Sequence, residues 1–132
     1  MTNYILDPDI DPEYFHLGLM CSNDPIRKVA ALLVFPDTQY TGFNFIRDLN
    51  AVRDGQPNPI SKYIWTTNRA LGRLLANHAE HTAILEAVLD GKEDFNESIL
   101  YVSLAPCDHC RKIIEAAGIP TVVFVEYYVP TC

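Results

Sequence analysis

The chain has 132 residues, 48% of them apolar and 20% charged, with 17 acidic side chains against 10 Lys and Arg and a net charge of −7. That length and composition suit one soluble domain spanning residues 1–132 and able to bury a core. The acidic balance argues against a long nucleic-acid groove, which needs a basic face. No apolar run approaches the ~20 residues of a membrane span, and the acidic N-terminus lacks the basic start of a signal peptide, so a cytoplasmic location with no membrane partner is expected.

In chain order, the spacing of Tyr14, Leu17, Leu19, Met20 and Cys21 predicts a helix over Pro12 to Ser22, with Asp11 as its cap before Pro12. Lys28 to Phe35 is an almost unbroken apolar run of strand length, the pattern of a central strand buried on both faces. Pro36-Asp37-Thr38 turns it into a second strand, Tyr40 to Phe45. Residues 46–64 read as a loop or insertion, and Thr67 to Ala76 as a helix. A further helix starts near Asn77, a good N-cap type, and runs to Gly91; it is apolar on most sides, which predicts burial. Ile99 to Leu104 is a strand, Cys107 to Ala117 a helix stopped by Gly118 and Pro120, and Thr121 to Tyr127 a final strand. This strand–helix–strand spacing predicts a crossover with parallel pairing.

Two short motifs carry chemistry: His78-Ala79-Glu80 and, after it, Pro106-Cys107-Asp108-His109-Cys110. One imidazole and two thiolates, from His78, Cys107 and Cys110, make three soft ligands suited to Zn²⁺. Three is one short of the closed tetrahedron of a structural site, so the fourth position is left for water, as in a catalytic site. Glu80, two residues from His78, can face that water without binding the metal. It would take the water's proton and later give it back, as general base and then general acid. Both motifs fall at predicted helix N-termini, where backbone N–H groups and the helix dipole favour thiolates and an anionic intermediate.

Other readings compete with this one. His109 lies within the Cys-x-x-Cys turn and is expected to point away from the metal. His81 sits roughly 300° around the helix from His78, and the angle alone leaves it a candidate fourth ligand that would make the site structural. Of the 4 cysteines, the two outside the motif, Cys21 and Cys132, are expected to be free thiols, with Cys21 buried.

The paired motifs, H-x-E followed by P-C-x-x-C, are the signature of zinc-dependent nucleobase deaminases. The chain resembles the cytidine and deoxycytidylate deaminase family, most closely its dCMP deaminase branch. The resemblance continues through Ala83-Ile84, the run from Leu100 to Cys107, Ile113 to Ile119, and Val122-Val123-Phe124. Upstream it takes in Lys28-Val29-Ala30-Ala31 and Thr41-Gly42-Phe43-Asn44. It implies a three-layer α/β fold, a mixed sheet with helices on both faces, C-terminally shortened because the family continues past its fourth strand with another helix and strand. It also implies zinc held by His78, Cys107 and Cys110, and Glu80 as the proton shuttle. Asn44 would hydrogen-bond the nucleoside, and the backbone N–H of Ala79 the base carbonyl. Read without the resemblance, Asn44 is a residue that stabilises a turn after a strand.

Tyr127 or Tyr128 at the end of the last strand is a candidate for stacking on the base, against a plain packing role. Asn44 is followed by Phe45-Ile46 where the dCMP branch has Gly and Pro, and the segment 47–76 has no clear counterpart. The expected substrate is a free cytosine nucleotide, dCMP first. Cytidine, guanine or a tRNA adenosine would use the same chemistry, and a silent binding module would use none of it. The row Val122 to Val125 reads as a bare apolar sheet edge, which predicts a homo-oligomer with this strand or the helix from Cys107 to Ala117 near an interface.

Overall fold

Every side chain from Ala30 to Leu33 is buried, so this strand lies inside a sheet with a packed layer on each face. The computed structural model describes residues 1–22, 28–46, 52–53, 56–57 and 76–127. In chain order these form β1 (Asn3–Leu6), α1 (Glu13–Cys21), β2 (Ala30–Val34), β3 (Gln39–Phe43), β4 (Phe45–Ile46), β5 (Val52–Arg53), β6 (Gln56–Pro57), β7 (Ala76–Asn77), α2 (Ala79–Leu89), β8 (Ile99–Val102), α3 (Asp108–Ala117) and β9 (Thr121–Phe124). Five strands make the main sheet in the order β1-β9-β8-β2-β3. β2 runs antiparallel to both β3 and β8, whereas β8, β9 and β1 are parallel. Two short antiparallel ladders, β4 with β7 and β5 with β6, stand apart from it. This is the expected mixed α/β sheet.

The alternation along β2 assigns the layers. Ala30 faces α1, which lies so close that a methyl group on Gly18 would come within 2.6 Å of the Ala30 Cβ. Ala31 and Leu33 face the other way, into a core shared with Ala79, Ala83, Ala87 and Ile84 of α2, Ile114 of α3, and Leu100, Val102 and Val122 of the sheet. The small residues of α2 recur every fourth position, and that flat stripe lets the helix lie directly on β3. A Cβ on Gly42 would stand 2.1 Å from the Ala79 carbonyl oxygen and 2.7 Å from the Ala83 nitrogen, both backbone atoms. Only glycine fits there. α3 ends at Gly118, whose φ of 84° is the left-handed cap that an L side chain rarely adopts.

Several expectations are corrected. No strand is expected before α1 from the sequence, yet Asn3–Leu6 forms β1 and pairs with β9 in parallel. β9 is therefore an interior strand, not the bare edge expected, and it ends at Phe124, not Tyr127. The helix expected from Asn77 starts at Ala79 with His78 as N-cap, because the Asn77 backbone is paired with Phe45 in the β4–β7 ladder. α2 is also less buried than its composition predicts: Leu85, Val88 and Leu89 are 55%, 51% and 73% exposed, because they lie off the face that carries the alanine stripe and Ile84. Cys21 is an exposed free thiol, not a buried one, because the buried stripe of α1 runs through Phe15 and Gly18 to Ser22. The expected cap of α1 holds in substance: Pro12 is already helical and Asp11 Oδ1 accepts the Glu13 N–H at 3.0 Å. Of the helix expected over Thr67 to Ala76, only Ala76 is described, as part of β7; Tyr128 and Cys132 also lie outside the described residues. Among the described residues, no helix is long and apolar enough to cross a membrane.

Candidate metal centre

β8 leaves the sheet at Val102, and the segment Ser103 to Pro106 carries the chain to the first turn of α3. Two strand ends hold that segment: Ser103 Oγ accepts the Ala30 N–H at 3.0 Å, and the Ala105 N–H donates to the Glu126 carbonyl at 2.9 Å. Cys107 is thereby set at the N-cap of α3, and Cys110 lies in its first turn. His78 is the N-cap of α2, so the two helix starts converge. The donor atoms of His78, Cys107 and Cys110 all lie within 4.8 Å of one another. Cys107 Sγ is 3.8 Å from His78 Nδ1.

That spacing can be checked against zinc. With Zn–S near 2.3 Å and Zn–N near 2.0 Å, a tetrahedral angle puts neighbouring ligand atoms roughly 3.5 to 3.8 Å apart. The donors present fit the ion. His81 and His109, the two alternative fourth ligands, stand outside the triad; their rings meet edge to face with centroids 5.6 Å apart.

Charge in the centre follows from this crowding. Two thiols so close do not both ionise unaided. The Cys107 thiol is held down to about 3 by hydrogen bonds from Cys110 and His78. Cys110 is pushed far up by the Cys107 thiolate it hydrogen-bonds and by burial. His78 is raised by its bond to Cys107. A divalent cation among these donors favours both thiolates and the neutral imidazole. Glu80 is 4% exposed, at the start of α2, and burial raises its carboxyl above the usual range despite hydrogen bonds from Cys110 and the backbone. Burial therefore favours its protonated form, the direction that suits a group that has to take up and give back a proton.

The other expected site residues sit as follows. Ala79 is buried in the first turn of α2, where helix geometry leaves its N–H without an intrahelical acceptor. Asn44 follows β3. It immediately precedes Phe45, whose partner Asn77 immediately precedes His78. Its Oδ1 accepts the Val29 N–H at 2.8 Å and the Ser22 hydroxyl at 2.7 Å, which fixes the orientation of the amide. The turn-stabilising reading of Asn44 thus describes one end of its side chain. Tyr127 is 60% exposed, with its ring edge against Phe124 at 5.0 Å. Ser22, Thr82 and Ser103, absent from the expected site, tie its segments together through their hydroxyls. A small hydroxyl beside a motif carries no signal of its own until its partner strand is known.

The family model for the cytidine and deoxycytidylate deaminase zinc-binding region matches residues 17–126. The chain belongs to this family. Within the deaminase family, the deoxycytidylate deaminases of Homo sapiens and Mus musculus are each 30% identical to it over 125 residues, covering 87% of this chain. The chain spans 64% of the length of those relatives. Among solved structures, the dCMP deaminase of cyanophage S-TIM5 superposes with a TM-score of 0.63 at 22% identity, covering 92% of this chain and 86% of that one. The cytidine deaminase of Burkholderia pseudomallei superposes with a TM-score of 0.57 at 24% identity, covering 84% and 77%. At these identities the superpositions bear on the fold, and they agree with the deaminase sheet described above.

Proposed function

We propose that this chain is a zinc-dependent hydrolytic deaminase of a free cytosine nucleotide, dCMP first, giving dUMP and ammonia. The observation that carries the reading is the meeting of three zinc-type donors within 4.8 Å with a buried carboxyl, Glu80, that is not one of them. Zinc held by His78, Cys107 and Cys110 supplies Lewis-acid activation of water at neutral pH. Glu80 accepts a proton of the attacking water and delivers it to the ring nitrogen beside the amino-bearing carbon; it then takes the remaining proton of the added hydroxyl and gives it to the amino group, which leaves as ammonia as the carbonyl forms. The N–H of Ala79 donates to the base carbonyl, Asn44 binds the sugar, and the exposed ring of Tyr127 offers a surface for stacking.

The 30% identity to two deoxycytidylate deaminases supports dCMP over the other bases, and the net charge of −7 supports a small molecule over RNA. The whole chain acts as one domain, in the cytoplasm, as a homo-oligomer. With β9 interior, the exposed apolar side chains Leu85, Val88 and Leu89 of α2, beside α3, are the surface that a second copy would cover. A deamination panel on zinc-loaded protein (dCMP, CMP, deoxycytidine, cytidine, guanine, adenosine) tests the substrate. Fastest turnover of dCMP is expected. Turnover of a purine alone, or of nothing in the panel, contradicts the reading.

A further inference from the structure

β3 is the outer strand of the main sheet, and at its end the chain must meet the start of α2, which carries His78 and Glu80. A sheet edge leaves backbone N–H and C=O groups without a strand partner. At Phe43 both are met by one side chain: Thr82 Oγ1 accepts the Phe43 N–H at 2.9 Å and donates toward the Phe43 carbonyl at 3.0 Å. The same oxygen is 3.0 Å from the Ala79 carbonyl, and the Thr82 N–H donates to the His78 carbonyl at 3.2 Å. One residue thus touches the N-cap ligand, the helix start and the end of β3. The next residue is Asn44, itself gripped by Ser22 and Val29.

We infer that Thr82 is a positioning residue: its hydroxyl sets the register between Asn44 on one side of the site and His78 and Glu80 on the other. This rests on the proposed reaction, in which Asn44 holds the sugar while Glu80 moves the proton. Gly42 already lets β3 and α2 touch, but close packing limits approach without fixing sliding along the helix. The directional bond from the Phe43 N–H, with the one hydroxyl proton shared between the Phe43 and Ala79 carbonyls, supplies that constraint. Loss of the hydroxyl frees the Phe43–Asn44 segment while leaving the metal donors and Glu80 in place.

The test compares Thr82→Val, which keeps the shape and removes the hydroxyl, with Thr82→Ser, which keeps the hydroxyl, both in the full chain loaded with zinc. Amide hydrogen exchange at Phe43 should speed up in Thr82→Val and stay near wild type in Thr82→Ser. With the panel member that the wild type turns over, Thr82→Val should raise KM about tenfold with kcat within about threefold, at unchanged zinc content, and Thr82→Ser should restore KM. Unchanged exchange and KM in Thr82→Val would overturn the inference. So would an equal defect in Thr82→Ser, which assigns the effect to packing, or a loss of activity that tracks loss of zinc. If the wild type turns over nothing, the proposed function fails, and Phe43 exchange in the two variants still decides whether Thr82 sets the register.

Discussion

The meeting of His78, Glu80, Cys107 and Cys110 follows from where each lies on its helix. His78 and Cys107 are N-caps with extended backbone, so their side chains reach forward from the helix starts. Cys110, buried in the first turn of α3, brings the third donor up from beneath, and Glu80 in the first turn of α2 lies against it. The donor set predicts about one zinc per chain with two sulfur ligands, one nitrogen and one light atom in X-ray absorption. A second nitrogen from His81 or His109 would contradict the open site. Cys107→Ser and His78→Ala should lose the metal and lower the unfolding temperature, as should a chelator, because ligation and folding are coupled. Variants that retain zinc and melt like wild type would remove these residues from the ligand set.

Among the elements, β1 does the most that its sequence did not announce. It closes the edge of β9 and is pinned at three points: the Thr2 hydroxyl donates to the Ile119 carbonyl, the Asn3 N–H to Pro120, and the Asp7 N–H to Phe124. Tyr4 adds a side-chain latch to α3, donating to Glu115 at 3.1 Å with the Arg111 guanidinium over its ring. Burial, and after it the bond to Glu115, pushes the Tyr4 hydroxyl up to about 12. The folded state therefore holds this proton more tightly than the unfolded chain, whose tyrosines ionise near 10. The latch's stabilisation is complete below about pH 10 and is lost as pH rises toward about 12. Denaturation curves should show wild type losing stability more steeply than Tyr4→Phe across that window; parallel losses would contradict the latch.

The sequence could not show β1 because a four-residue strand carries little periodicity and owes its pairing to a partner over a hundred residues away. β2 was legible because continuous burial leaves an unbroken apolar run, and the end of α3 because Gly118 marks it. α2 misled because apolar side chains all round suggest burial on every side, whereas one face, with Ala79 and Ala83 against Gly42, meets the sheet. The zinc donors were readable because the chemistry demands their types and spacing. The hydroxyls of Ser22 and Thr82 were not, since their roles exist only once β3 has been brought to α2.

For the molecule as a whole, the family match spans most of the chain, and Leu85, Val88 and Leu89 stand exposed together on α2. Light scattering at micromolar concentration should find a homo-oligomer in the wild type and a smaller species in Leu85→Glu/Leu89→Glu, with zinc retained in both. A monomeric wild type that deaminates dCMP would show that a single copy suffices. In the proposed reaction Glu80 moves the proton at an open three-donor zinc centre. The most direct test is the rate of ammonia release from dCMP by wild type and Glu80→Gln at matched zinc content. Wild type should turn over, and the variant should keep its metal and fold while losing at least roughly 10²- to 10⁴-fold in rate. A Glu80→Gln protein that deaminates dCMP at close to the wild-type rate would contradict the account.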